Sequence, residues 1–146
     1  MKQAQKIEVL KKLNLFSELS KRQLAQVAKV AYEYPVPYKP GKVFVRQGDP
    51  GQELFIILEG KAVVKKGNRV IAELKKGDFF GELSLLDGKK RSASVEAKTE
   101  VRVMGLSAKS FRKLLDDVPG LSKNILFAVC RYLRNVDKLQ SKLPEK

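Results

Sequence analysis

The chain has 146 residues, of which 43% are hydrophobic and 32% are charged. This length and composition fit one folded domain and argue against a disordered chain. No apolar run approaches the ~18 residues that cross a bilayer, and the N-terminal residues lack a secretory signal. Histidine is absent and Cys130 is the one cysteine, which excludes histidine-dependent catalysis, histidine or thiolate metal sites and an internal disulfide. The sequence thus predicts a cytoplasmic, non-enzymatic protein without metal or cofactor.

The net charge is +14, from 30 basic and 16 acidic residues. Such a charge is found in nucleic-acid-binding and membrane-binding proteins, and also in proteins whose solvated surface is rich in lysine. The basic residues here are scattered pairs, without a dense tract or the interleaved aromatic residues of single-strand binders. We favour the solvated-surface interpretation and do not expect nucleic acid as a partner, although the charge would attract an anionic ligand.

The first region, residues 3–34, has apolar residues near helical spacing. Ser20 and Gln23 have the spacing of a capping box at the start of a second helix. Pro35 and the prolines that follow it end the helical region. The sequence therefore predicts helices over residues 3–34.

Residues 36–106 contain short β-type segments separated by turn residues, with glycines at 41, 48, 51, 60, 67, 77 and 88. Strands this short and this regularly interrupted are typical of an antiparallel roll or barrel. Helical periodicity returns over residues 107–141, with Ser107 as the predicted N-cap. The predicted fold class is α+β, a jelly-roll-like antiparallel β-roll flanked by N-terminal helices and two C-terminal helices. All of it forms a single domain over residues 1–146.

The segment from Gly77 to Ala97, GDFFGELSLLDGKKRSASVEA, departs from this pattern of strands. Gly81 allows close approach of the backbone, and free N–H groups at the start of a short helical segment bind anions. Arg91 can bind two phosphate oxygens through its guanidinium, and Ser92 can donate a further hydrogen bond. Glu82 suits a sugar hydroxyl, because an ionised carboxylate only accepts hydrogen bonds. Together they indicate a ribose phosphate, although each residue alone also fits a turn with a surface ion pair.

The segment FGELSLLDGKKRSASV, residues 80–95, resembles the phosphate-binding cassette of the cyclic-nucleotide-binding superfamily. That superfamily includes the bacterial catabolite activator, the regulatory subunits of cyclic-AMP-dependent kinase and cyclic-nucleotide-gated channels. Its pattern is F/I-G-E, a short helix and then R-S/T/A-A-x-V, which is matched by Phe80, Gly81, Glu82, Arg91, Ser92, Ala93 and Val95. The stretches LNLFSELSKRQL and YKPGKVFVRQGDPGQELFIILEGKAVV also resemble the family, so the similarity covers nearly the whole chain.

The resemblance implies a non-catalytic regulatory module that binds a cyclic mononucleotide, with cAMP favoured over cGMP, and transmits occupancy by moving its C-terminal helices. It implies that Arg91 pairs with the cyclic phosphate, that Ser92 donates to the phosphate or the base, and that Glu82 holds the ribose 2′-hydroxyl. The other implied phosphate and ribose residues are Gly81, Leu83, Ser84 and Ala93. The implied hydrophobic pocket around the base consists of Val64, Ile71, Phe80, Tyr132, Asn135 and Val136. For Val64 and Ile71 the alternative interpretation is an ordinary place in the core, and the two roles are compatible.

The alternative is a module that keeps this fold but binds no nucleotide. It would act in protein interaction or dimerisation through the amphipathic last helix, so a homodimer through that helix is also considered. The sequence indicates no particular effector domain or partner protein.

Overall fold

A computed structural model describes residues 2–13, 16–48, 53–81, 93–124, 126, 127, 130 and 134. Two helices come first, α1 (Gln3–Lys11) and α2 (Lys21–Val30). The strands are β1 (Tyr32–Glu33), β2 (Val43–Val45), β3 (Glu53–Glu59), β4 (Ala62–Lys66), β5 (Arg69–Leu74), β6 (Phe79–Phe80), β7 (Ser94–Ala97) and β8 (Arg102–Ser107). Helix α3 (Ala108–Asp117) follows β8. The described helical residues after α3 are 121–124, 126, 127, 130 and 134, and they belong to the last helix.

The strands form two antiparallel four-stranded sheets, with the orders β1-β8-β3-β6 and β2-β7-β4-β5. The two sheets pack face to face, because residues of both share one buried cluster. Helices lie before and after the strands in the chain. This architecture confirms the predicted α+β fold class and its antiparallel β-roll.

Strand β3 separates two hydrophobic cores. Successive residues of a strand point to opposite faces, and the run LFIIL from Leu54 to Leu58 is buried throughout, as expected of a strand covered on both sides. The helical core joins α1, α2 and α3 to one face of the first sheet, through Leu54, Ile56, Leu58, Met104 and Leu106. The roll core lies between the sheets and consists of Phe55, Ile57, Ala62, Val64, Ile71, Ala72, Leu74, Phe80, Val95, Ala97, Val101 and Val103.

The helical region ends earlier than the sequence predicts. Helix α2 ends at Val30, and Tyr32 and Glu33 pair with Gly105 and Met104 of β8. The prediction of helix up to residue 34, followed by a β-roll from residue 36, is wrong at this boundary. Pro35 disfavours helical backbone at the residue before it, and pairing with β8 satisfies the extended backbone of residues 32 and 33. The Glu33 carboxylate then lies 2.7 Å from the guanidinium of Arg102.

The helix ends are satisfied by side chains. The Ser20 hydroxyl accepts from the Gln23 N–H, and the Gln23 side chain accepts from the Ser20 N–H, which confirms the predicted capping box. The Lys6 ammonium donates to the carbonyl of Ala31 at 2.6 Å and so satisfies the C-terminal end of α2. Ser107 caps α3 as predicted. These contacts fix α1 and α2 against each other on the helical core.

The last helix is buried at its start and exposed further along. Leu121 belongs to the helical core, whereas Leu126 and Phe127 are 60% and 55% exposed. Cys130 and Arg134 are also exposed. In the part of the chain that the structure describes, no helix has the length and apolar character needed to cross a membrane.

Candidate functional site

The segment predicted to bind the ligand begins and ends in the roll core. Phe80, the last residue of β6, and Val95 in β7 are both buried there. Residues 82–92 between them lie outside the described residues. The structure thus places both ends of the segment in the roll core, while the contacts of five residues in it remain predictions: Glu82, Leu83, Ser84, Arg91 and Ser92.

The described ends of the segment are Gly81 and Ala93. Gly81 has a backbone φ of 100°, a conformation that costs other residues of order 1–3 kcal/mol. The backbone therefore requires glycine where the resemblance places it. Ala93 is half-buried and packs against the roll core.

Val64 and Ile71, predicted to contact ribose and base, lie on the neighbouring strands β4 and β5. Both are buried in the roll core together with Phe80, which confirms that they are core residues. They also lie in the same cluster as both ends of the segment, as a role in binding the ligand would require. Their contact with a ligand remains a prediction, and the other predicted pocket residues, Tyr132, Asn135 and Val136, lie outside the described residues.

An aromatic cluster surrounds Phe80, and the sequence analysis did not predict it. The Phe80 ring stacks on Phe55 with centroids 5.1 Å apart, and it meets Phe44 edge to face at 5.6 Å. Three tyrosines continue the cluster: Tyr32, Tyr34 and Tyr38. Tyrosines two positions apart in the stretch YEYPVPY were the available signal, because alternate residues of a strand share a face. The cluster gives the first end of the segment a rigid support.

A carboxylate organises the outer end of this cluster. The phenols of Tyr32 and Tyr34 both donate to Glu53 Oε2 at the start of β3. Burial, together with these hydrogen bonds to a negative charge, raises the pKa of Tyr32 to about 12 and also raises that of Tyr34. Burial followed by the Glu53 charge raises the pKa of Tyr38. The contacts join β1 to β3 across the first sheet.

We expect this cluster to make the domain sensitive to alkali. Tyrosines whose pKa is raised in the folded state favour the fold fully below pH 10.0, their ordinary pKa, and this stabilisation is lost as the pH rises through about 12. Tyrosinate absorbance and circular dichroism, followed in one pH titration, should therefore change together above pH 10.0. Tyr34→Phe should reduce the stability lost between these pH values. Ionisation of all tyrosines near pH 10.0 in an intact fold would contradict the assignment.

Among the described residues, no group of three or more histidine, cysteine, aspartate or glutamate side chains could hold a metal ion. The described part of the site consists of the apolar residues of the roll core, the aromatic cluster around Phe80, and Gly81 at the start of the predicted segment. These features suit contact with the apolar part of a ligand, whereas the residues predicted to bind its anionic part, Arg91 and Ser92, lie outside the described residues.

The chain is similar to a known protein family. The family model for the cyclic nucleotide-binding domain matches residues 35–118, more than half of the chain. The cAMP-dependent protein kinase regulatory subunit of Schizosaccharomyces pombe is 36% identical over 117 residues, which cover 80% of this chain and 28% of that protein. The chain spans less than a third of the length of the curated relatives it matches.

Solved structures share the fold over nearly the whole chain. The cAMP-bound structure of PfPKA-R has a TM-score of 0.81 and 29% identity, covering 95% of this chain and 48% of that one. The regulatory subunit of a cAMP-independent protein kinase A from Trypanosoma brucei has a TM-score of 0.79 and 30% identity, covering 97% and 50%. A mutant of that subunit is bound to cAMP in its A site. This chain therefore belongs to the cyclic nucleotide-binding domain family.

Proposed function

We propose that the domain binds cAMP in preference to cGMP and transmits its presence by moving its last two helices. The observation that carries the proposal is the segment from Phe80 to Val95. It combines Gly81, Glu82 and Arg91 in the family's spacing, and its two ends are buried together in the roll core.

The proposed contacts follow from the chemistry of the side chains. The Arg91 guanidinium would bind two oxygens of the cyclic phosphate, with Ser92 as a further donor. Glu82 would accept from the ribose 2′-hydroxyl. Val64 and Ile71 would form the apolar surface beneath ribose and base. An affinity in the micromolar range corresponds to about −8 kcal/mol, which a few such charged hydrogen bonds and apolar contacts can supply.

The relatives support cAMP, although one similar structure belongs to a cAMP-independent kinase. The Schizosaccharomyces pombe relative is a regulatory subunit of a cAMP-dependent kinase, and PfPKA-R is bound to cAMP. The Trypanosoma brucei protein has a similar fold and belongs to a cAMP-independent kinase, yet a mutant of it is bound to cAMP. In this chain, Arg91 and Glu82 match the family's cassette and favour a cyclic nucleotide.

The exposed part of the last helix supports the proposed movement. Leu126 and Phe127 are 60% and 55% exposed, and burying the exposed half of each side chain is worth roughly 1–2 kcal/mol. Closing the helix over the ligand would provide such burial, with Tyr132, Asn135 or Val136 as the residue over the base. A ligand can shift this equilibrium by its differential affinity for the two states, typically about 1–3 kcal/mol.

The partner is also a proposal. The relatives suggest a kinase catalytic subunit.

The alternative function, a dimerisation module that binds no nucleotide, is favoured by the same exposed Leu126 and Phe127. In that case the apolar surface would be covered by a second copy of the chain.

Cys130 offers a direct test of ligand-driven movement. It is exposed, lies on the last helix and is the one cysteine of the chain, so an environment-sensitive fluorophore can be attached at a single site. Saturating cAMP is expected to change its emission, cGMP to do so at higher concentration, and the acyclic 5′-AMP to have little effect. An emission unchanged by either cyclic nucleotide would count against the proposed movement. Concentration-dependent emission without nucleotide would support the dimerisation module.

A further inference from the structure

Two basic residues face each other at the tip of the hairpin formed by β4 and β5. Lys66 and Arg69 are direct partners in the register, on either side of the turn formed by Gly67 and Asn68. Both side chains are exposed. Like charges directly opposite one another in an antiparallel pair are unfavourable. The hairpin therefore keeps an electrostatic repulsion at its tip, which an anion would relieve.

A third basic residue is held at the same end of the second sheet. The side-chain oxygen of Gln47 accepts from the Gly67 N–H at 3.2 Å, and the Gln47 N–H donates to the Ser94 hydroxyl at 2.8 Å. These two bonds connect the end of β2 to the hairpin turn and to the start of β7. Arg46, next to Gln47 and also exposed, therefore lies at this end. We call Arg46, Lys66 and Arg69 the basic end.

The rest of the sheet has its charges paired. Lys65 lies 2.6 Å from Glu96, and the carboxylate of Glu73 is shared by Lys61 and Lys98 at 3.9 and 2.9 Å. Within the described ranges, the three residues of the basic end form no ion pair. The acidic side chains of this sheet thus neutralise the lysines away from the tip and leave the tip positive, which differs from charge spread evenly over a solvated surface.

We propose that the basic end is a docking surface for an acidic segment of a partner protein. Two of its three residues are arginines, whose planar fork binds carboxylates through paired hydrogen bonds. Arginine is enriched in protein interfaces, whereas a surface made of three basic side chains has no apolar group to insert into a membrane. The surface adjoins Ser94, which lies within the proposed ligand-binding segment two residues after Ser92, so an acidic partner there would lie close to the nucleotide.

The test measures binding of a fluorescent decapeptide of glutamates and leucines by anisotropy, using the full chain at low salt. The double variant Lys66→Gln, Arg69→Gln should bind at least about tenfold more weakly than the parent. The matched control, Lys61→Gln with Lys98→Gln, removes the same charge from the same sheet but at paired lysines, and should change affinity less than about twofold. We call the Lys66→Gln, Arg69→Gln protein the tip variant. Because it lacks the repulsion between these two residues, its thermal stability should equal or exceed that of the parent.

Equal weakening in the two double variants would overturn the proposal, because net charge alone would then explain binding. The proposal would also be overturned if the parent bound phosphatidylserine vesicles or a short DNA duplex more tightly than the peptide and the tip variant did not bind them. Loss of peptide binding in the tip variant alone, with cAMP binding unchanged, would support the docking surface independently of the proposed function.

Discussion

Replacing Gly60 with alanine is expected to destabilise the domain by about 3–5 kcal/mol. Gly60 joins β3 to β4 with a backbone φ of 93°, and that conformation alone costs other residues of order 1–3 kcal/mol. An added Cβ would also lie 2.1 Å from the carbonyl oxygen of Glu100 and 3.0 Å from the Thr99 hydroxyl. The obstacle is main chain in the loop between β7 and β8, so it cannot move aside as a flexible side chain would. Urea unfolding of the two proteins measures the difference.

Gly41→Ala is the matched control for this prediction. Gly41 has a φ of 89°, nearly the same as Gly60, but an added Cβ would meet nothing within 4 Å. Its cost should be confined to the backbone conformation, of order 1–3 kcal/mol, and should be smaller than that of Gly60→Ala. Equal destabilisation by the two substitutions would mean that the close approach of Gly60 to Glu100 contributes nothing. With a total stability of about 5–15 kcal/mol, typical of a domain, the Gly60 variant should be detectably unfolded at modest urea concentrations.

Arg91→Ala is expected to weaken cAMP binding roughly tenfold to a few hundredfold without unfolding the domain. Hydrogen bonds to charged groups contribute about 1.5–3 kcal/mol each, and the proposed role gives the guanidinium one or two of them with the phosphate. Isothermal titration calorimetry on parent and variant measures the loss, and circular dichroism shows whether the fold is retained.

Two further variants separate charge from geometry at this position. Arg91→Lys keeps the positive charge but loses the paired hydrogen bonds, so its affinity should fall between those of the parent and Arg91→Ala. Arg22→Ala removes the same charge from an exposed position on α2 and should leave affinity nearly unchanged. Equal cAMP affinity in the parent and Arg91→Ala would remove Arg91 from the site.

Local sequence signals predicted the fold well where a short stretch determines the structure. The capping box of Ser20 and Gln23 and the cap at Ser107 depend on residues three apart, and both are found. Glycines predicted in turns at 41, 48, 60, 67 and 77 have positive φ. The end of α2 was predicted too late because β1 exists only through its pairing with β8, about seventy residues further along. No local pattern contains that information.

Around the site, too, a contiguous motif could be predicted, whereas contacts between residues distant in the sequence could not. The motif from Phe80 to Val95 is contiguous, so it could be recognised from the sequence alone, and its described ends lie in β6 and β7. The contacts of Glu53 with Tyr32 and Tyr34 span 21 and 19 residues, and only the sheet register brings these residues together. Membership of the family, whose curated relatives are regulatory subunits, confirms the predicted non-catalytic binding domain.

Calorimetric titration of the unmodified chain with cAMP tests the account most directly. One nucleotide should bind per chain, with a dissociation constant in about the micromolar range and with weaker binding of cGMP. The absence of binding by either nucleotide at about millimolar concentration, in a chain whose circular dichroism shows an intact fold, would contradict the proposed nucleotide site.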